Sequence, residues 1–398
     1  LLRIFMYHFE TADTAHIIIL FKDDLSHAHA FGHPERLLAQ IQSLGIKDNI
    51  LLWIRNFLVG RRQRVKINES VSEWVNVTSG VPQGSVLGPL LFSMFVSGIP
   101  ERLRCFISMF ADDTKVYEVI SEMDGGLSDL QLDINSLQVW ANSMQMLFHP
   151  LKCKVMHFGS ANPGREYSMV TTAGDSHTLQ SVDEEKDLGV TIDKKLTFSR
   201  HVTNQVNKAN KILGAIRHTF VTMDINIFLA LYKSLIRPHL EYATVIWNPK
   251  LKRDKDALER VQRRATRLVS GLSNLSYSGR LRALNLPTLE FRRKRADIIE
   301  TFKVLKGFDK LNYQRQCPSC ENSMFKPALS NATRGHGQKL QVQHQLGPRK
   351  TFFAARATQT WNRLSRDTIE APNVETFKYR LGKEWEDHPD KFDYRFSY

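Results

Sequence analysis

The sequence predicts an α+β fold: a small antiparallel sheet with helices on one face, then a helical region, then a mixed C-terminal segment. Three observations predict it. Apolar runs of strand length recur at residues 16–21, 105–110, 114–120 and 153–158. Helix-period segments separate them, in the order strand, helices, strand pair, helix, strand. From His201 onward the periodicity is helical and the charge changes abruptly.

Residues 16–21 read as a buried strand, and Asp23-Asp24 follow it directly. Two helices are expected at 35–44, where Pro34 suits the first position, and at 47–58. Residues 62–67 and 74–77 alternate like paired strands. A glycine-rich loop, Gly80 to Pro89, leads into an apolar helix at 90–96. Phe110-Ala111-Asp112-Asp113 then joins two apolar runs, which predicts a hairpin with acids at its tip. A helix at about 127–144 leads through Phe148-His149-Pro150 to the strand at 153–158, and short strands continue to 190–192.

In the helical region, segment 258–272 puts Leu258, Val261, Ala265, Leu268, Val269 and Leu272 on one face. Arg260, Arg263, Arg264 and Arg267 fall on the opposite face without interleaved acids. Exposed faces normally mix signs, so this one suggests a phosphate contact. Arg292-Arg293-Lys294-Arg295 extends the basic region. Residues 330–345 have loop composition, and 352–364 read as an aromatic-containing helix. No internal repeat is evident.

A chain of 398 residues is enough for two or three domains. Its net charge of +14 suggests a polyanionic partner. The charge is concentrated: residues 201–310 hold 22 Lys and Arg against 9 Asp and Glu, a net +13. Four cysteines do not make a disulfide framework at this length. Cys105 and Cys153 lie in apolar strands as expected free thiols, and a reducing, intracellular setting fits. Cys317-Pro318-Ser319-Cys320 is a lone CxxC, which lacks the further ligands of a zinc site. The early apolar run at 17–21 is far too short to span a bilayer.

Adjacent carboxylates such as Asp112 and Asp113 repel each other, and a cation relieves the repulsion. A hard divalent ion is the natural candidate, since Mg²⁺ takes one or two carboxylates plus substrate phosphates. Taken alone, the pair also reads as a solvated acidic turn.

The neighbouring sequence decides between these readings. An acid at the end of a strand, the string Gly80 to Phe92 (GVPQGSVLGPLLF), and then Phe110-Ala111-Asp112-Asp113-Thr114-Lys115 occur in that order. Together they resemble the reverse transcriptase of non-long-terminal-repeat retrotransposons of the jockey and chicken-repeat type. The resemblance continues through Trp140-Ala141-Asn142, Lys152-Cys153-Lys154, Asp187-Leu188-Gly189-Val190, the stretch Leu231 to Tyr242, and Trp361-Asn362-Arg363-Leu364.

The resemblance implies a right-hand polymerase. Residues 1–198 would be the palm, with a primer-grip-like hairpin near 187–192. Residues 199–310 would be a basic helical thumb, and 311–398 a C-terminal extension. The implied activity is RNA-directed DNA polymerisation, adding dNTPs to a primer 3′-OH with two Mg²⁺ ions, Mn²⁺ being the alternative. The implied partners are an RNA template, a DNA primer or target and dNTPs, with no membrane, in nucleus or cytoplasm. Asp24 and Asp112 would be the main metal ligands, and Asp113 would complete the acidic cluster. Asp24 is preferred to Asp23 because Asp24-Leu25-Ser26 matches the family pattern. Gln83, Gly84 and Ser85 would border the incoming nucleotide and template base. Lys152 would lie near the triphosphate. Leu188 and Gly189 would grip the primer end, and Arg260, Arg263, Arg264 and Arg267 would track duplex phosphates.

The chain also departs from the family. His29 replaces the aromatic that packs under the sugar, and Ala30 replaces a second acid. His149 and Leu151 replace the usual Asn and Asp before Lys152. Only 23 residues precede Asp24, so the fingers and the amino-terminal endonuclease are expected to be missing, and Leu1 is read as the start of a fragment. Two alternatives stay open: an inactive, nucleic-acid-binding relic, and a two-metal nuclease. The glycine-rich loop argues against the second.

Overall fold

The computed structural model describes residues 15–22, 34–78, 80–82, 84–111, 113–120, 129–144, 146, 148–159, 162–171, 174–308, 325–328, 336–342 and 352–395. Asp23, Asp24, His29, Ala30, Gln83, Asp112 and the Cys317–Cys320 motif lie outside these residues. The described residues form two compact units that divide between Asp183 and Glu184.

The first unit runs β1 (Ala15–Lys22), α1 (Pro34–Ser43), α2 (Asp48–Leu58), β2 (Arg62–Gln63), β3 (Lys66–Ile67), β4 (Ser70–Val71) and β5 (Val75–Asn76). It continues with α3 (Leu87–Val96), β6 (Phe106–Phe110), β7 (Asp113–Ile120), α4 (Asp129–Met144) and β8 (Lys154–Phe158). The strands β9 (Ser168–Val170), β10 (Ser176–Thr178) and β11 (Gln180–Ser181) end it. Five strands form one sheet in the order β11-β8-β1-β7-β6. All neighbours are antiparallel except β11 and β8. This parallel edge departs from the wholly antiparallel expectation. The stretch between Phe158 and Gln180 is long enough to bring the chain back in the same direction.

Strand alternation gives the sheet two different faces. Ile107, Val116 and Val155 share one, since Ile107 opposes Val116 and Ile19 is partnered by both Val116 and Val155. These three residues pack in one core with Leu37, Leu38 and Ile41 of α1, Leu91 and Phe95 of α3, and Leu130, Ile134 and Leu137 of α4. The spacing of those helical residues is the three-to-four repeat of an apolar stripe, so the helices cover this face. Asp113, Lys115, Tyr117 and Lys154 take register positions on the other.

The expected strand pair at 62–67 and 74–77 is two short ladders instead: β2 with β5, and β3 with β4. The Ser72 hydroxyl accepts from the Val65 N–H at 2.9 Å between them. A side-chain bond there takes a backbone donor that a continuous ladder would use.

The second unit opens with the hairpin β12 (Glu184–Asp187) and β13 (Val190–Asp193). Helices α5 (Ser199–Thr219), α6 (Ile225–Leu231), α7 (Arg237–Glu241), α8 (Thr244–Trp247), α9 (Lys252–Ala265), α10 (Tyr277–Ala283) and α11 (Leu289–Leu305) follow. Then come α12 (Phe353–Trp361), α13 (Arg366–Ile369) and α14 (Val374–Glu384). The helix expected over 258–272 ends at Ala265, and a 3₁₀ turn spans Thr266–Leu268. Buried Arg280 explains the stop: its guanidinium donates to the Arg263 carbonyl at 3.3 Å and to the Thr266 hydroxyl at 3.1 Å. The Thr266 hydroxyl in turn donates to the same Arg263 carbonyl at 3.1 Å.

The helices α12 and α14 share a core with α11. Phe302 stacks on Phe377 at 4.1 Å, and Trp361 is fully buried beside them. Arg356 holds buried Asp297 through both carboxylate oxygens, at 2.7 and 2.9 Å. Burial raises the Asp297 carboxyl pKa despite Arg356, the strongest opposing influence.

Candidate functional site

The β6–β7 ladder closes with Phe110 opposite Asp113. Ala111 takes φ +51°, the left-handed conformation that two-residue hairpin turns require. Of the acids expected at a hairpin tip, Asp113 is the first residue of β7, and Asp112 lies outside the described residues.

Register brings further elements to this end of the sheet. Lys22, the last residue of β1, is the backbone partner of Asp113. Leu20 is partnered by Lys115 on β7 and by Lys154, the first residue of β8. The end of β1, the start of β7 and the start of β8 thus lie side by side. Asp24 follows Lys22 by two residues in the chain, and Lys152 precedes Lys154 by two. Lys152 is half-buried at the end of a 3₁₀ turn, Pro150–Lys152, and its N–H donates to the His149 carbonyl at 2.9 Å.

Lys115 is only 4% exposed and shares the face of Asp113 by alternation. Buried lysines are uncommon, which marks this one as part of the local charge pattern. Sequence pattern alone gives it no role beyond that of a strand residue, although it closes the FADDTK string.

The hairpin is anchored from below by Asp133 of α4. Its carboxylate accepts from the Arg104 N–H at 2.9 Å and the Cys105 N–H at 2.7 Å. Those groups immediately precede β6. Asp129 adds an exposed ion pair with the Arg104 side chain at 2.9 Å. Burial and the neighbouring Asp133 both push the Cys105 thiol pKa up, so it stays protonated. The signal for Asp133 was present in the sequence as an acid within the apolar stripe of Leu130, Ile134 and Leu137.

The glycine-rich loop turns at Gly80 and Gly84, both at φ +77°. Glycine adopts this conformation without steric cost. The Ser85 hydroxyl accepts from the Gly88 N–H at 3.1 Å, which satisfies a free donor at the start of α3. The helix accordingly begins at Leu87, three residues before the expected 90. Arg61 fixes the loop from one side, donating through Nε to the Leu58 carbonyl at 2.8 Å and through Nη2 to the Gly80 carbonyl.

In the second unit, Leu188 and Gly189 form the two-residue turn between β12 and β13, at φ +43° and +88°. Tyr242 clamps this turn. Its hydroxyl donates to the Leu188 carbonyl at 3.0 Å, and a Cβ on Gly189 would lie 3.2 Å from its ring. Fully buried His201 fixes the next strand, Nδ1 accepting from the Thr191 N–H at 3.1 Å. Burial lowers the His201 pKa to about 4, so the ring is neutral at pH 7. A groove of about 310 Å³ beside the turn is lined by Lys186, Thr191, Asn204, Asn207, Lys208 and Lys211. The lysine and asparagine positions of α5 were not singled out from the sequence. Their signal was a polar stripe at helical spacing.

Arg260, Arg264 and Arg267 are exposed, as expected of an outward basic face, while Arg263 is half-buried. Arg264 reaches Asn210 Oδ1 at 2.9 Å. The Arg292-Arg293-Lys294-Arg295 run does not extend this surface. Arg293 is 2% exposed and its Nε donates to Asn248. Arg292 pairs with Glu241, Lys294 with Asp390, and Arg295 donates to the Lys378 carbonyl. The run holds helices together.

Among the described residues, no group of three His, Cys, Asp or Glu side chains is placed to hold a metal ion. Asp24 and Asp112 are outside those residues. No described helix is long and apolar enough to cross a membrane.

Residues 11–205 match the family model described as reverse transcriptase (RNA-dependent DNA polymerase). The chain is 28% identical over 237 residues to the RNA-directed DNA polymerase from mobile element jockey of Drosophila melanogaster, covering 56% of this chain and 25% of that protein. The jockey polymerase of Drosophila funebris is 29% identical over 254 residues, covering 60% and 27%. A probable RNA-directed DNA polymerase from transposon X-element of Drosophila melanogaster is 26% identical over 233 residues, covering 55% and 24%. The chain therefore spans about a quarter of the length of the curated relatives it matches.

Proposed function

Residues 11–205 belong to the reverse transcriptase family, and from that premise we propose that this chain carries the catalytic palm and thumb of a non-long-terminal-repeat retrotransposon polymerase. The reaction is addition of a dNTP to a DNA primer 3′-OH, directed by an RNA template. One observation carries this reading. Asp113 pairs with Lys22 at the end of β1, and Asp24 and Asp112 are near neighbours of these two in the sequence.

Asp24, Asp112 and Asp113 offer carboxylate oxygens, the donor type that Mg²⁺ and Mn²⁺ take, so this donor chemistry fits the implied ions. Two such ions would polarise the attacking 3′-oxygen and neutralise the leaving pyrophosphate. The chain's own residues supply position and charge. Lys152 and buried Lys115 add positive charge near the sheet end that presents Asp113. Gln83, Gly84 and Ser85 border the nucleotide, where the glycine permits close backbone approach. Leu188 and Gly189 present the primer end, while Arg260, Arg263, Arg264 and Arg267 follow duplex phosphates without reading bases.

Primer extension on an RNA template tests this. The chain is expected to incorporate dNTPs in the presence of Mg²⁺, and an Asp112→Ala, Asp113→Ala variant is expected to lose incorporation. Zero incorporation by both would leave only the second reading, an inactive nucleic-acid-binding relic. That reading is favoured by His29 and Ala30, which replace family residues in the site.

A further inference from the structure

Residues 62–76 are exposed without a break. Val65, Ile67, Val71, Trp74 and Val75 lie among them and are 49–68% exposed. Exposed apolar side chains gathered on one element mark an interaction surface more often than chance. Here they sit on a narrow ribbon made of the β2–β5 and β3–β4 ladders and closed by a turn at Asn68. Arg61 pins its base, and the Val77 N–H donates to the Arg61 carbonyl at 2.8 Å.

One face of the ribbon has a defined chemistry. Arg62 opposes Asn76, so Arg64 and Trp74, each two residues further along, fall on the same side. The Arg64 guanidinium carbon lies 4.6 Å from the Trp74 ring centroid, and that of Arg62 lies 5.5 Å away. Among the described residues, no carboxylate pairs with Arg62, Arg64 or Lys66.

We propose that this ribbon is a contact site for single-stranded nucleic acid. Unpaired arginines supply the phosphate contacts. The half-exposed indole supplies a stacking surface, and the apolar residues around it cover base faces. A duplex hides its base faces, so it would use the arginines alone. Stacking on an aromatic ring contributes about 1–3 kcal/mol per base and tolerates any base. The inference rests on the ribbon surface and not on the carboxylate chemistry, so it stands or falls by binding alone.

Fluorescence titration of the whole chain with labelled oligothymidylate and oligouridylate of about 15 nucleotides tests it, a hybrid duplex being the comparison. Trp74→Ala is expected to weaken single-strand binding about fivefold to a hundredfold and leave duplex affinity unchanged. Arg62→Ala with Arg64→Ala is expected to lower the slope of log K against log salt by about 1.4 for a single strand. Trp74→Phe keeps a ring and is expected to retain most of the binding. Ultraviolet crosslinks to the single strand are expected in the 61–77 peptide. Because the segment is exposed, the variants should melt like the parent. Unchanged single-strand affinity in the alanine variants would overturn the proposal. So would crosslinks confined to other peptides, or competition by polyglutamate as strong as by the oligonucleotide.

Discussion

At the residue scale, the Leu188-Gly189 turn shows how a small position is over-determined. Gly189 is at φ +88°, and its missing Cβ makes room for the Tyr242 ring. Gly189→Ala therefore meets backbone strain and a tight approach together. It is expected to cost about 1–3 kcal/mol in urea unfolding. Tyr242→Phe keeps the ring and removes only the hydroxyl that donates to the Leu188 carbonyl, so its cost should be about 1 kcal/mol. No loss of stability in either variant would mean that the turn is not held in this way. The glycine was legible in the sequence. Its clamp was not, because Tyr242 lies 54 residues away and nothing in a local pattern links the two.

At the scale of elements, the hairpin whose second strand begins at Asp113 depends on helix α4. Asp133 of α4 satisfies the two backbone donors that precede β6, and it is 2% exposed. Asp133→Ala would leave these two part-buried N–H groups without their acceptor. It is expected to destabilise the first unit by about 1–3 kcal/mol, read as a lower denaturant midpoint. Asp133→Asn keeps one acceptor oxygen and should cost less. Equal stability of Asp133→Ala and the parent would remove the anchoring role. The strands β6, β7 and β8 were legible because buried strands write their period directly into the sequence, and β1 was legible from its run of apolar residues. The two ladders of the 62–76 ribbon read as one in the sequence, since alternation carries no sign of the side-chain bond that interrupts it. The Arg292–Arg295 run misleads for a related reason. Its partners Glu241 and Asp390 stand 51 and 96 residues away, and charge counted along a chain cannot report pairing across it.

At the scale of the whole molecule, charge that looks like one basic region sorts into two kinds. Part is neutralised within the unit, where Arg292, Lys255 and Lys294 pair with Glu241, Glu290 and Asp390. The outward part includes Arg260, Arg264 and Arg267 on and just after α9 and Lys208 and Lys211 on α5. The second unit has its own core, with Trp247, Trp361, Phe302 and Phe377 fully buried. A fragment of residues 184–398 is therefore expected to unfold in one cooperative transition and to bind hybrid duplex without the first unit. Replacing Arg260, Arg264 and Arg267 by alanine in that fragment should lower the slope of log K against log salt by about 2.7, close to 0.9 for each phosphate that an arginine neutralises. The same triple substitution should leave the thermal midpoint nearly unchanged, because surface substitutions cost about 0.5 kcal/mol or less. Arg292→Ala should do the reverse, lowering the midpoint and leaving the slope alone, since it removes a half-buried partner of Glu241 that ties α7 to α11. A salt slope that follows Arg292 and ignores the three outward arginines would place the duplex interface on another face of the unit.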